Sequence, residues 1–192
     1  FRSEVRDDSS LEGDAVLTYG SDAHGCSMTA SSGASVRAAS LRLDSREGAN
    51  CTLAARTKSN ISATRFSFDG SRTELMDESE LTAELVSFEG DVLSVANDSR
   101  VVVGSGGIEA RTVSLARSSS LTATDVLNLT ASAALAVEVS SSIVATAGRV
   151  ASPVVEVRDD SSLEGDAVLT YGADGYGGSV TVASGASVLA AS

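Results

Sequence analysis

The chain contains a long internal repeat. Residues 4–40 recur at 156–192 with a constant offset of 152 residues, and 29 of the 37 paired positions are identical. Tandem near-identical stretches are typical of repeat architectures, in which each unit buries its apolar face against its neighbours. We therefore expect a single continuous solenoid over 1–192, with a long repeat unit at 4–155 and the start of the next unit at 156–192.

A shorter motif recurs inside the long unit and defines its coils. It consists of one or two polar residues, usually Ser, then an aliphatic residue that we call the anchor, then a small residue two places later. Steps of 20, 22 or 25 residues separate the anchors and give seven coils per unit. The anchors are Leu11, Val36, Ile61, Leu81, Val101, Leu121, Ile143, Leu163 and Val188.

Two further apolar stretches follow each anchor. The second begins five places later, at Val16, Leu41, Phe66, Val86 and Val126. The third lies farther along each coil, for example at Met28, Leu53, Leu93, Val113, Val155 and Val180. Alternation of apolar and polar residues indicates strands, and the Gly, Ser, Asp and Asn residues between the stretches favour turns.

These patterns predict an all-β fold, a parallel β-solenoid with about 20–25 residues and three short strands per coil. A left-handed hexapeptide solenoid needs regular six-residue sides, so the uneven coils favour a right-handed β-helix. A β-sandwich, which also contains short strands at regular spacing, is the alternative. A narrow interior suits the low aromatic content of 4% and the absence of Trp.

The charge balance excludes some partners. The net charge of −12 argues against nucleic acid, which requires a basic face. No run of 18 apolar residues is present, so we expect no membrane span. Neither end carries a polar capping segment, and we therefore expect the chain to be part of a longer protein or to stack end to end with copies of itself.

All four asparagines lie in Asn-X-Ser/Thr tripeptides, at Asn50, Asn60, Asn97 and Asn128. Such tripeptides are acceptors for N-linked glycans on secreted proteins. Chance is the alternative, because Ser and Thr are abundant. We expect Asn60 and Asn97 in turns and Asn128, between two leucines, on the outside. The pattern predicts an extracellular glycoprotein.

The two cysteines occupy equivalent places in consecutive coils. Cys26 and Cys51 each follow an anchor by 15 residues. Stacked positions on adjacent parallel strands are about 4.8 Å apart, which a disulfide can span. We predict a Cys26–Cys51 disulfide, with two buried free thiols as the alternative. Gly178 replaces Cys26 in the second copy, so the fold does not require the link.

Acidic turns are the candidates for cation binding. Asp7, Asp8, Glu12 and Asp14 recur as Asp159, Asp160, Glu164 and Asp166. Calcium takes six to eight oxygen ligands, so these turns can contribute to a calcium site, and a solvated acidic turn is the alternative. The glycine-rich calcium nonapeptide does not recur in tandem. We assign no metal-site residues and expect no cofactor.

No catalytic set is predicted. Glycoside hydrolysis needs two carboxylates across the scissile bond, and the adjacent Asp7 and Asp8 are a weak match. The one histidine, His24, is replaced by Tyr176 in the second copy, and no zinc-type His/Cys cluster exists. We therefore expect that the protein is not an enzyme.

The coil motif resembles that of a known fold family. Ser-Ser-Leu-Thr-Ala at 119–123, Ser-Ser-Ser-Ile-Val-Ala at 140–145 and Ser-Ser-Leu-Glu-Gly at 161–165 carry the resemblance, which is to the right-handed parallel β-helix (pectin-lyase-like) superfamily. This superfamily includes polysaccharide lyases and pectin hydrolases. Long, repetitive, glycosylated proteins of this kind are often surface fibres, adhesins or shafts of appendages such as algal flagellar hairs.

The resemblance implies the fold and not the function. Our leading hypothesis is a structural protein, the glycosylated shaft of an extracellular filament or surface appendage, assembled from copies of itself. The alternatives are the stalk of a cell-surface adhesin and a carbohydrate-active β-helix enzyme.

Overall fold

The chain winds into a parallel β-solenoid. The computed structural model describes all residues except 1, 6–9, 20–25, 45–50, 166–167, 171–178 and 191–192. The described residues form fifteen strands and no helix, joined in one sheet whose pairings are all parallel. The strands are β1 (Arg2–Val5), β2 (Ser10–Tyr19), β3 (Cys26–Ser31), β4 (Ser35–Asp44), β5 (Cys51–Arg56), β6 (Asn60–Met76), β7 (Glu80–Ala96), β8 (Arg100–Ala116), β9 (Ser120–Glu138), β10 (Ser142–Ala151), β11 (Val154–Val157), β12 (Ser162–Gly165), β13 (Val168–Thr170), β14 (Ser179–Val182) and β15 (Ser187–Ala190).

The predicted anchors pair with one another from coil to coil. Leu11 pairs with Val36 and Val36 with Ile61, and the series continues without a break to Val188. The small residues two places later pair in the same way, from Gly13 to Ala190. This register confirms the solenoid and removes the β-sandwich alternative, while the right-handed winding stays a prediction.

Each central coil has three inward-facing segments. In β6 the register with β7 is the same on both sides of each bend, although Thr64 and Ser71 at the bends are not among the paired positions, and the coil is one strand of 17 residues. Side chains alternate between inside and outside within a segment, and consecutive residues that are not buried mark the bends. The inward side chains of β6 are Ile61 and Ala63, then Phe66 and Phe68, then Thr73 and Leu75.

Aliphatic side chains fill the narrow interior, with aromatic rings at one level. Phe66 and Phe68 are each 1% exposed, and the ring of Phe68 stacks on that of Phe88 with centroids 4.9 Å apart. Ile108 and Leu129 continue this column in the next two coils. Full burial of an aliphatic or aromatic side chain stabilises a fold by about 1.5–3 kcal/mol, so stacking of coils is the main source of stability.

The register of the second apolar stretch differs from the sequence pattern at Val16, and the structure turns Val126 outward. Val16 pairs with Ser40, whereas its neighbour Leu17 pairs with the buried Leu41. Val126 is 43% exposed, and Leu127 takes the inward position. In both coils the bend holds one extra residue relative to a neighbouring coil. An extra residue reverses the inward and outward faces of the residues after it.

Candidate functional site

Each turn within the described residues that separates two coils has two residues in the left-handed region, followed by a residue that faces the core. Asp77 and Glu78 have φ of 58° and 63°, and Ser79 after them is 1% exposed. The N–H of Glu78 donates to the carbonyl of Asn97 in the next turn at 2.8 Å. Such bonds between stacked turns offset the cost of positive φ at residues other than glycine.

The serines after the turns form a buried column, which we call the serine ladder. The N–H of Ser59 donates to Ser79 Oγ at 3.3 Å, and that hydroxyl donates to the carbonyl of Met76 at 2.7 Å. Because they bond within the ladder, these hydroxyls are not available as nucleophiles. Ala34 and Ala186 take the same place after turns that contain glycine. The ladder consists of Ser59, Ser79, Ser99, Ser119, Ser141 and Ser161, each at most 1% exposed.

Asn97 is one link in a chain of side-chain hydrogen bonds along the turns. Its Nδ2 donates to Asp77 Oδ1 at 2.7 Å, and its Oδ1 accepts from Arg117 Nη1 at 3.2 Å. Both polar atoms of the amide therefore bond to the coils on either side. Asn97 lies in a turn as predicted, with φ of 58°.

The other acceptor asparagines differ from Asn97. The prediction that Asn60 lies in a turn is wrong, because Ser59 separates it from the turn residues Thr57 and Lys58; Asn60 is exposed and is the first residue of β6. Asn128 is exposed on the outside of β9, between the buried Leu127 and Leu129, as the alternation predicted. Asn50 lies outside the described residues. Carriage of glycans at any of the four stays a prediction.

Cys26 and Cys51 form the predicted disulfide between consecutive coils. They are register partners in β3 and β5, with Cα atoms 4.4 Å apart. Cys26 is 3% exposed and Cys51 is fully buried, so the link lies inside the solenoid.

The acidic turns are only partly within the described residues. Asp159 and Asp160 are exposed turn residues at positive φ, and Glu164 is exposed. Asp7, Asp8 and Asp166 lie outside the described residues, and the side chains of Glu12 and Asp14 are not described. Within the described part of the chain, no group of three or more His, Cys, Asp or Glu side chains is placed to hold a metal ion.

A second acidic feature, which we call the acidic column, was missed in the sequence. Asp44, Asp69, Glu89 and Glu109 are register partners in four consecutive coils. Each follows its anchor by eight places, which is the signal that would have revealed the column. Arg42 lies on the same strand as Asp44 and bonds to it at 2.6 Å.

The described residues line two open grooves, among others, on the outer surface. One of about 330 Å³ crosses the bend after the anchor segment and is lined by hydroxyl-bearing and small residues, among them Ser62, Thr64, Thr82 and Thr124, with Glu84. The other, of about 380 Å³, lies beside the turns and is lined by Glu78, Ser79, Glu80, Asp98 and Arg100. None of the described residues that line the two grooves is a histidine, and His24 lies outside the described residues.

Comparison with known proteins assigns no family. No protein-family model matches the chain, and neither a curated protein nor a solved structure shows significant similarity to it. Among the described residues no helix is long and apolar enough to cross a membrane. The solenoid and its surfaces are therefore the features from which a function can be inferred.

Proposed function

We propose that this protein is structural and forms the shaft of an extracellular filament or surface appendage, in which 152-residue units continue a single solenoid. The pairing across the boundary between units carries the proposal. Ile143 in the first unit pairs with Leu163 in the second, and Val137 in the first unit pairs with Val157 in the second. These contacts repeat the column contacts inside a unit, so units can be added without a change of geometry.

We also propose that the solenoid belongs to the right-handed, pectin-lyase-like superfamily.

The first unit shows how a further coil would pack on the second. Met28 and Ala30 are fully buried beneath β5, and Val180 and Val182 take their places in the second unit. A second copy stacked head to tail would bury the two valines in the same way. Because the two ends of a parallel solenoid differ, such contacts do not close and give an open fibre.

Two further observations support an extracellular location for the shaft. The Cys26–Cys51 disulfide is of a kind that persists in oxidising compartments. Asn60 and Asn128 present exposed acceptor side chains on the outer surface. Both are compatible with a secreted protein that carries N-linked glycans.

Electron microscopy with layer-line analysis tests this proposal. At a coil spacing of about 4.8 Å, seven coils rise about 34 Å, so filaments should show both spacings. Chains of one, two and three units should give rods whose length grows by a constant increment. As a control in the 192-residue chain, Val180→Lys and Val182→Lys together should block head-to-tail growth without altering a single rod. Dispersed compact particles of constant size would overturn the proposal that the protein forms a shaft.

The microscopy also tests the adhesin alternative, and an activity assay tests the enzyme alternative. An adhesin stalk would give single rods that do not associate end to end or side by side. A carbohydrate-active enzyme has one acidic groove available among the described residues, beside Glu80 and Asp98. For that alternative to hold, a polysaccharide-cleaving activity must first be measured, and Glu80→Gln or Asp98→Asn must abolish it.

A further inference from the structure

We propose that the fold selects among the asparagine acceptors, so that Asn60 and Asn128 carry N-linked glycans in the folded protein and Asn97 does not. The inference rests on the extracellular part of the proposed function, because these tripeptides are modified on secreted proteins. It does not depend on whether the rods assemble into filaments.

Asn128 has open space beside it. Its register partners are Gly107 on one side and Arg149 on the other. A Cβ atom placed on Gly107 would meet no atom within 4 Å, so the neighbouring coil leaves the surface beside Asn128 uncovered. Thr130, which completes the acceptor tripeptide, is exposed on the same face because alternate residues of a strand share a face. Both required side chains are therefore accessible.

Asn60 is also accessible. It is exposed at the first position of β6, and its register partners are Ser35 and Glu80. Ser62, which completes its tripeptide, lines the hydroxyl-rich groove on the outer surface. Neither side chain of this acceptor faces the core.

Asn97 is held closed by the same turn that positions it. The glycan would attach to Nδ2, the atom that donates to Asp77 at 2.7 Å, while Oδ1 is bonded to Arg117. Ser99, which completes the tripeptide, is fully buried and accepts the N–H of Ser79 in the serine ladder at 3.2 Å. This tripeptide is therefore explained by the turn, which uses an asparagine at positive φ and a serine in the core.

The test is site-by-site occupancy in folded protein secreted from insect cells. Enzymatic removal of N-glycans in ¹⁸O-labelled water marks each occupied asparagine as labelled aspartate, and peptide mass spectrometry reads the label. The sample is the fraction that elutes as a single folded species. We expect label at Asn60 and Asn128 and almost none at Asn97.

Matched variants remove one acceptor at a time. Thr130→Ala deletes the Asn128 acceptor without removing a buried side chain, and the protein should lose the mass of one glycan. Asn97→Gln should leave the total glycan mass unchanged. Occupancy at Asn97 equal to that at Asn128, or no loss of mass in Thr130→Ala, would overturn the selection and leave the filament untouched. Folded secreted protein without label at any asparagine would overturn this inference and the glycosylated surface together, while the microscopy still decides the shaft.

Discussion

Thr73 places a hydroxyl in an otherwise aliphatic column. Its register partners are Leu53 and Leu93, it is fully buried, and its Oγ1 has no hydrogen-bond partner. By contrast, the buried serines after the turns bond to the backbone of their own and adjacent coils. This core tolerates a buried hydroxyl directly after a turn, where backbone groups form hydrogen bonds with it. Thr73 does not follow a turn, and its hydroxyl has no such partner.

Thr73→Val should therefore stabilise the protein. Valine has nearly the same shape and removes the unsatisfied hydroxyl, so the free energy of unfolding should rise by about 1–2 kcal/mol. Urea unfolding followed by circular dichroism measures the change. Thr82→Val, on the outer face, is the control and should shift the free energy of unfolding by less than about 0.5 kcal/mol. A loss of stability in Thr73→Val would contradict the argument.

The outward-facing residues of the strands affect stability, because residues at the same position of adjacent coils lie next to each other. The acidic column places Glu89 between Asp69 and Glu109 in adjacent coils, and like charges directly opposite each other destabilise a sheet. Elsewhere the stacking brings opposite charges together, as where Glu74 bonds to Arg56 at 2.9 Å across adjacent strands. Charge along the outer columns therefore tunes how well coils associate.

Reversing one charge in the acidic column should strengthen the solenoid. Glu89→Lys replaces two repulsions by two attractions, and we expect the free energy of unfolding to rise by about 0.5–1 kcal/mol at low salt. The gain should shrink as salt increases. Glu84→Lys makes the same change of net charge at a bend, outside the acidic column, and serves as the control. An equal gain in both variants would assign the effect to net charge.

In the whole molecule, a change in one coil is expected to affect the stability of that coil and its neighbours more than that of distant coils. Each coil contacts only its neighbours, so the free energy of unfolding is approximately a sum of coil and junction contributions. The Cys26–Cys51 link joins two coils near one end, over a sequence separation of 25 residues. Chain entropy assigns a loop of this length about 3 kcal/mol, which should act mainly on the coils it joins.

Replacing both cysteines by alanine should reduce protection from hydrogen exchange only in the coils that the disulfide joins. Hydrogen exchange measured by mass spectrometry should become faster in β3 and β5 and remain unchanged in β8 and β9. A protein in which every strand loses protection to the same extent would show that the solenoid unfolds as one unit and would contradict the local picture.

The inward columns could be predicted from sequence because each needs only an apolar residue at a fixed distance from the anchor. The cysteine pair followed from the same register. The reversal at Val126 could not be predicted, since the 22-residue step after Leu121 shows that this coil holds two extra residues but not where in the coil they lie. The burial of Ser79 and its neighbours was also missed, because a repeated serine beside a turn is usually solvated. Only the stacked turns show that the hydroxyls of Ser79, Ser99, Ser141 and Ser161 each accept an N–H from the preceding coil.

The direction of the strands has a consequence for a rod under tension. The strands run across the axis and their hydrogen bonds run along it, so a pull on the two chain ends loads those bonds one coil at a time. Each 20-residue coil that peels away adds about 70 Å of extended chain. The coil closed by Cys26 and Cys51 cannot be drawn out in this way. It adds almost no length, so this part of the rod does not extend under tension while the disulfide is intact.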